Sequence, residues 1–347
     1  MDEKPVDLVF EGGGVKGIGL AGSYFELYQE GYRPACVAGT SAGAITAALV
    51  AAGCTGEELR ELVLERMDFP KFADRRRLGI VGEAGELLVD KGLHDGSYFL
   101  EWIRSELKAK GVTSFGDLRN EDPGAPASRR YRLQVVASDL TDCSMLVLPQ
   151  DSAKLGIDPN ELEVAEAVRM SMSIPIFFDP VIHQDRVSGR KHLIVDGGLL
   201  SNYPIWLFDS PPGTPPKIPT FGMLLVAPNQ TDPLLPQPPS GSEPAKVPSL
   251  VGYVKAIADT MMQAHDRLYV EQANYVRTIP IPTLGVTTTD FEIPAEKARE
   301  LFQSGRAAAA AFLKTWDFGA YVARYRTATP PTRREDMLQA ARAPAGG

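Results

Sequence analysis

Twice near its N-terminus the chain runs from an apolar stretch into a glycine cluster and then into a helical pattern. The stretch 6–11 (Val-Asp-Leu-Val-Phe-Glu) has the character of a short buried strand, and Gly12-Gly13-Gly14 follows at once. A helical pattern over 16–30 comes next, with Gly31 placed to cap its C-terminus. Cys36-Val37-Ala38 then reads as a second short strand, Gly39-Thr40-Ser41-Ala42-Gly43 as a turn, and 42–52 as an alanine-rich helix ended by Gly53. Strand, glycine turn, helix, repeated, is the βαβα rhythm of a sheet with helices packed on its faces.

The rest of the chain continues in that style. The pattern predicts mostly helix over 55–120, with loops near Pro70 and over 79–85, and a break at Asp122-Pro123-Gly124-Ala125-Pro126. Apolar strands are expected over 131–137 and 144–148, the second pairing with the first. A helix is expected over 161–170. Strands over 180–184 and 192–195 flank a polar turn, and the second runs into Asp196-Gly197-Gly198. Residues 218–227 read as a strong strand, and 228–248, rich in proline, as a loop or lid. Leu250, Val254, Ile257, Met261 and Leu268 recur at helical spacing, so 249–275 reads as an amphipathic helix, and 296–316 as another. A single domain over 1–330 with a disordered tail over 331–347 is the expected organisation.

Composition narrows the function classes. With 36 Lys and Arg against 44 Asp and Glu, the net charge is −8, a poor basis for neutralising nucleic-acid phosphates. Three cysteines, none in a CxxC pair, suggest neither a disulfide framework nor a zinc ribbon, and reduced thiols fit a cytoplasmic location. The start Met-Asp-Glu-Lys lacks the basic, apolar character of a signal peptide. The apolar window 42–52 is too short to span a bilayer.

Gly39-Thr40-Ser41-Ala42-Gly43 fits G-x-S-x-G, and it lies between an expected strand and an expected helix, as that motif requires. A serine on so sharp a turn needs small residues two positions to either side. The competing reading is an ordinary turn whose Ser or Thr caps the helix. Gly12-Gly13-Gly14-Val15-Lys16-Gly17 fits G-x-G-x-x-G. As a dinucleotide fingerprint it lacks an acidic residue over 32–38, and as a phosphate loop it lacks Gly-Lys-Ser/Thr. As an oxyanion hole it offers backbone N–H groups free of side chains, and the serine turn nearby favours that reading over a plain tight turn.

A nucleophilic serine needs a base. Of His94, His183, His192 and His265, only His265 follows Asp196 in the chain, and it falls inside the amphipathic helix. His183 and His192 read as a cross-strand pair, and His94 has no companion. Asp196 ends a strand beside two glycines, a place where a carboxylate can approach a neighbouring loop; a turn aspartate is the plainer reading.

Taken together, Glu11-Gly-Gly-Gly-Val-Lys-Gly17, Gly39-Thr-Ser-Ala-Gly43 and Asp196-Gly-Gly-Leu-Leu-Ser-Asn-Tyr-Pro204 resemble the patatin-like phospholipase family. Ser171-Met-Ser-Ile-Pro175-Ile-Phe-Phe178 also resembles the segment leading to that family's catalytic aspartate. The likeness covers about 6–205. It implies an α/β three-layer sandwich with a central, mostly parallel sheet flanked by helices. It implies a Ser–Asp dyad of Ser41 and Asp196, an oxyanion hole from Gly12, Gly13 and Gly14, and support from Lys16, Gly17, Gly39, Gly43, Gly197 and Gly198. It implies a serine lipid acyl hydrolase needing no cofactor and no metal. Its partner would be a lipid or acyl-ester substrate, met in transient contact with a membrane surface. The aromatic and basic stretch 67–77 reads first as a solvated charged loop, with contact to an anionic lipid surface as the other reading. The alternative is a non-catalytic or ligand-activated lipid-binding protein that keeps the fold.

Overall fold

A computed structural model describes residues 3–72, 96–122, 124–211, 214–227 and 272–326. Its centre is a sheet in which β1 (Lys4–Phe10), β2 (Tyr32–Thr40), β3 (Leu133–Asp139), β4 (Ser144–Leu148), β5 (Val181–Gln184), β6 (Lys191–Asp196), β7 (Thr220–Val226) and β8 (Thr278–Pro282) take part. The five strands in the order β3-β2-β1-β7-β8 are parallel. Strands β4 and β6 join β3 antiparallel, and β5 joins β6 antiparallel. The sheet is therefore mixed, with a parallel body and an antiparallel flank.

Local sequence explains the elements. Strands of the parallel body are mostly apolar where they are buried, because both faces are covered. Leu8, Val37, Leu133, Val135 and Ala137 belong to the larger core, with buried residues of α1 (Ile18–Gln29), α2 (Ala42–Ala51), α5 (Val164–Ser171) and α6 (Ala295–Leu313). Val9, Ala38 and Val136 belong to a smaller core with Tyr203, Ile205, Leu207 and Phe208, the last three in a 3-10 turn. Further described helices are α3 (Gly56–Glu61), begun by a capping box on Thr55, α4 (Ser97–Ala109) and α7 (Phe318–Tyr325), besides the four-residue helices Phe69–Phe72 and Gln272–Tyr275.

Several boundaries differ from the sequence pattern for identifiable reasons. Strand β2 is three times the length that Cys36–Ala38 advertises, because it starts in the polar, half-buried Tyr32-Arg33-Pro34. Its pairing with β1 skips Ala35, next to Pro34, which has no N–H to give a ladder. Near Pro70 the chain makes the short helical turn Phe69–Phe72 in place of a loop; a proline in a first turn sacrifices no helical hydrogen bond. Helix α5 starts three residues later than the apolar spacing suggests. The loops over 79–85 and 228–248, nearly all of the helix over 249–275, and the tail over 331–347 lie outside the described residues.

A buried charge sits in β1. Asp7 of β1 is fully buried, and its Oδ1 accepts from Arg129 Nη1 at 2.8 Å and from the Cys36 amide at 3.2 Å. Burial outweighs the guanidinium and pushes the carboxyl up to about 6. The cost of ionising Asp7 in the fold is thus absent below the ordinary carboxylate range and complete above about pH 6. Replacing Arg129 by Leu strands that charge. We expect a loss of about 3–5 kcal/mol in urea unfolding at pH 8, narrowing as the pH is lowered to 4.

Candidate active site

Ser41 occupies the sharp turn between β2 and α2, with φ 53° and ψ −126°. A non-glycine residue held there costs on the order of 1–3 kcal/mol, so the surroundings must enforce it. They do so by backbone contact. A Cβ on Gly39 would stand 2.3 Å from the Gly43 carbonyl oxygen, and one on Gly43 would stand 2.3 Å from the Phe10 carbonyl oxygen. Those distances are the physical content of the glycines flanking the serine. The Ser41 amide donates to Ser171 Oγ at 2.8 Å, and Ser171 Oγ donates to the Val136 carbonyl at 2.6 Å. One hydroxyl at the end of α5 thereby links the turn to β3. The sequence offered no sign of this role beyond a serine in a small-residue helix end.

Strand pairing brings Asp196 to the same place. Strand β2 pairs with Leu133–Val136 of β3, and β6 pairs with Ala137–Asp139. Strand β4 pairs with Val135–Asp139 and so occupies the opposite edge. β2 and β6 therefore share one edge of β3, run toward each other, and end where they meet. Ser41 follows the last residue of β2, and Asp196 is the last residue of β6. A Cβ on Gly197 would lie 2.2 Å from the Val136 carbonyl and 3.0 Å from Thr40 Cγ2, which leaves only glycine room at the junction.

The loop after Asp196 is stitched to both glycine turns. Thr40 Oγ1 donates to the Ser201 carbonyl at 3.0 Å. The Gly12 amide donates to the Asn202 carbonyl at 3.0 Å, and Asn202 Nδ2 donates to the Gly12 carbonyl at 3.1 Å and to Glu11 Oε1 at 3.2 Å. Glu11 Oε2 accepts from the Leu225 amide at 2.5 Å. Gly12 has thus spent its N–H on structure. The amides of Gly13 and Gly14 have no hydrogen bond to any described residue, and Gly14 takes φ +55°. Gly14-Val15-Lys16-Gly17 forms a 3-10 turn leading into α1.

Asp196 is buried. Its Oδ1 accepts from the Gly198 amide at 2.7 Å, while Oδ2 has no partner in hydrogen-bond geometry. Burial pushes the carboxyl up to about 7, against the lowering effect of the nearby Ser41 hydroxyl and the Gly198 amide. Ser41 and Asp196 are near enough to influence one another without a well-formed hydrogen bond between them.

A family model for patatin-like phospholipases matches residues 8–209. The chain belongs to the patatin-like phospholipase family. It is 37% identical over 317 residues to the uncharacterized protein YqhO of Bacillus subtilis (strain 168), covering 90% of this chain and 99% of that one. Among solved structures it is similar in fold to VipD from Legionella pneumophila, with a TM-score of 0.56 at 17% identity, over 91% of this chain and 67% of that one. The type III effector ExoU aligns with a TM-score of 0.45 at 17% identity, over 89% of this chain and 53% of that one, so the chain spans about half of ExoU's length.

The other residues singled out in this patatin-like chain go elsewhere. His183 and His192 do face each other in the register of β5 and β6. His183 Nε2 bonds the Leu155 carbonyl at 2.8 Å, and His192 Nδ1 bonds Asp139 Oδ2 at 2.7 Å, so neither is bonded to Ser41. His94 and His265 lie outside the described residues. In the stretch 67–77, the described aromatic rings turn inward: Phe72 is buried against Phe99 and Trp102, and Phe69 packs on Phe72. Lys71 pairs with Asp68 at 2.9 Å, and 73–77 lie outside the described residues. No described helix is long and apolar enough to cross a membrane.

The Ser171 link gives a direct expectation. Ser171→Ala leaves the Ser41 amide unpaired in a buried place. We expect a stability loss of about 1–3 kcal/mol in denaturant unfolding, and slower covalent labelling of Ser41 by a fluorophosphonate as the turn loosens.

Proposed function

We propose that this protein is a serine lipid acyl hydrolase that cleaves carboxylic esters through a Ser41–Asp196 dyad. The observation that carries the reading is the convergence of a strained, helix-facing serine and a buried carboxylate at the junction of β2 and β6. Ser41 Oγ attacks the ester carbonyl while Asp196 Oδ2 takes its proton. A free aspartate near pKa 3.9 is a feeble base for an alcohol. Burial that lifts Asp196 to about 7 brings its affinity for the proton much closer to the task at neutral pH. The positive end of α2 points at the developing charge. The Gly13 and Gly14 amides are the donors left for the oxyanion, since Gly12 is committed to Asn202; one such donor is typically worth about 3–4 kcal/mol of barrier. The alcohol or lysolipid leaves with the proton from Asp196. Water, deprotonated by Asp196, then adds to the acyl-serine; the Ser41 Oγ–acyl bond breaks, Ser41 Oγ takes back the proton from Asp196, and the fatty acid is released. Lys16, in the turn after the glycines, is assigned a supporting role.

The central experiment is intact mass after treatment with a long-chain fluorophosphonate. A single adduct on the unaltered protein, absent from Ser41→Ala, is the expected result; no adduct on a folded protein would favour the non-catalytic reading.

Two further outcomes follow from Asp196. Because it acts as a base, kcat/KM for an ester substrate should rise with pH through an apparent pKa near 7 and then level off. Asp196→Asn should lose nearly all turnover, whereas His265→Ala should keep most of it. The same Asp196→Asn variant should be more stable than the unaltered protein. A carboxyl whose pKa rises on folding costs nothing below its unfolded value and its full cost above its folded one. The gain should therefore be largest at pH 8, at most about 4 kcal/mol, and should vanish near pH 4 in thermal or urea unfolding.

A further inference from the structure

Large apolar side chains are rarely exposed in the described residues, and three of the five that are gather at one corner. Val187 is 89% exposed, Ile182 66% and Leu140 43%. Ile182 stands opposite Leu193 across β5 and β6, and the Leu140 amide donates to the Leu193 carbonyl at 2.9 Å. Ile182, the half-buried Leu193 and Leu140 thus form a row on one sheet face, while their neighbours His192 and Asp139 point into the protein. Val187 stands in the turn of the hairpin. Turns of this kind are ordinarily closed by Gly, Asn, Asp or Ser. A nearly bare valine there gains nothing from water.

The charges around it are of one useful sign. Arg186 and Lys191 are exposed and have no ion-pair partner among the described residues. Asp185 is folded under the turn, where it accepts from the Val187 amide at 2.8 Å and from the Ser188 hydroxyl. Arg190 is tied to Asp142. In a chain of net charge −8, the hairpin presents two free cations beside bare apolar groups.

Its position also matters. Asp196 ends β6 beside Ser41, and Lys191 begins it five residues away, roughly 17 Å at strand rise. The hairpin therefore projects beyond the C-terminal end of β2, past the end of the sheet where Ser41 lies. β5 has no other strand beside it among the described residues.

We propose that the β5–β6 hairpin docks this protein onto an anionic phospholipid bilayer, with Val187 and Ile182 entering the acyl boundary and Arg186 and Lys191 meeting headgroup phosphates. The proposal rests on the lipid acyl hydrolase reading, for which it supplies the surface that brings Ser41 to its substrate. The arrangement is amphipathic in the way a bilayer surface requires: apolar tips enter, and long basic side chains stay at headgroup level.

The test is flotation of full-length Ser41→Ala protein, which leaves the lipid intact, with phosphatidylcholine vesicles with and without phosphatidylglycerol. Binding should require the anionic lipid and weaken with salt. Val187→Asp should lower the partition coefficient roughly tenfold or more. Arg186→Ser and Lys191→Ser should each lower it roughly fivefold and flatten the salt dependence. Unchanged thermal melts would show that the variants fold, as their exposure leads us to expect. No binding of the parent protein to anionic vesicles, or equal binding by Val187→Asp, would overturn the proposal. So would a dimer in light scattering that Val187→Asp dissociates, because the patch would then join two copies of this chain. Turnover of a soluble short-chain ester by the unaltered protein reads the catalytic proposal separately, so either can fail while the other stands.

Discussion

One edge of β3 organises this molecule. Its first four residues hold β2 and its last three hold β6, and the two strands arrive from opposite directions. Everything near Ser41 and Asp196 depends on where they stop. Hydrogen-bond registers are discrete, so the meeting point is fixed to within one residue spacing by the ladder itself. Side chains then fix the remainder: Ser171 ties the serine turn to β3, Thr40 ties it to Ser201, and Asn202 ties the same loop to the glycine turn after β1. Three loops far apart in the chain become one rigid body through a handful of short bonds.

That body holds two unfavourable things at once. Ser41 has a backbone conformation that an L-residue avoids, and Asp196 is a carboxyl in a dry place with one oxygen unanswered. Neither persists unless the surrounding fold over-determines it. The apolar cores on the two sheet faces supply the stability from which both are held. Asp7 shows the contrast. It is also buried and also raised in pKa, yet a guanidinium and the Cys36 amide answer it, as befits a structural charge.

Much of this was legible in the chain because its signals are local. Glycines after apolar runs marked both turns, and Ser41 and Asp196 stood out at strand ends. Several features were not legible, each for a physical reason. That β2 and β6 share an edge depends on one pairing between residues 96 positions apart and another between residues 55 to 59 apart. The loss of the Gly12 amide to Asn202 depends on a loop approaching from 190 residues away. The role of Ser171 is invisible because a serine in a helix looks the same whether its hydroxyl bonds its own turn or another strand. Aromatic residues over 67–72 read as candidates for a lipid surface, but Phe72 finds Phe99 and Trp102 and turns inward. The exposed hairpin valine leaves no mark in the sequence, since composition cannot tell a bare side chain from a covered one.

The meeting of β2 and β6 has a consequence for how the protein comes into being. The turn that carries Ser41 draws on Phe10 and Ser171 as well as on its own glycines, and Asp196 stands beside it only when β6 pairs in register along β3. A slip of one residue in that pairing would turn the carboxylate to the other face of the sheet. A chain still emerging from the ribosome, or one folded in the wrong register, therefore lacks the pair altogether. The pair therefore exists only in molecules in which β6 has paired in register with β3.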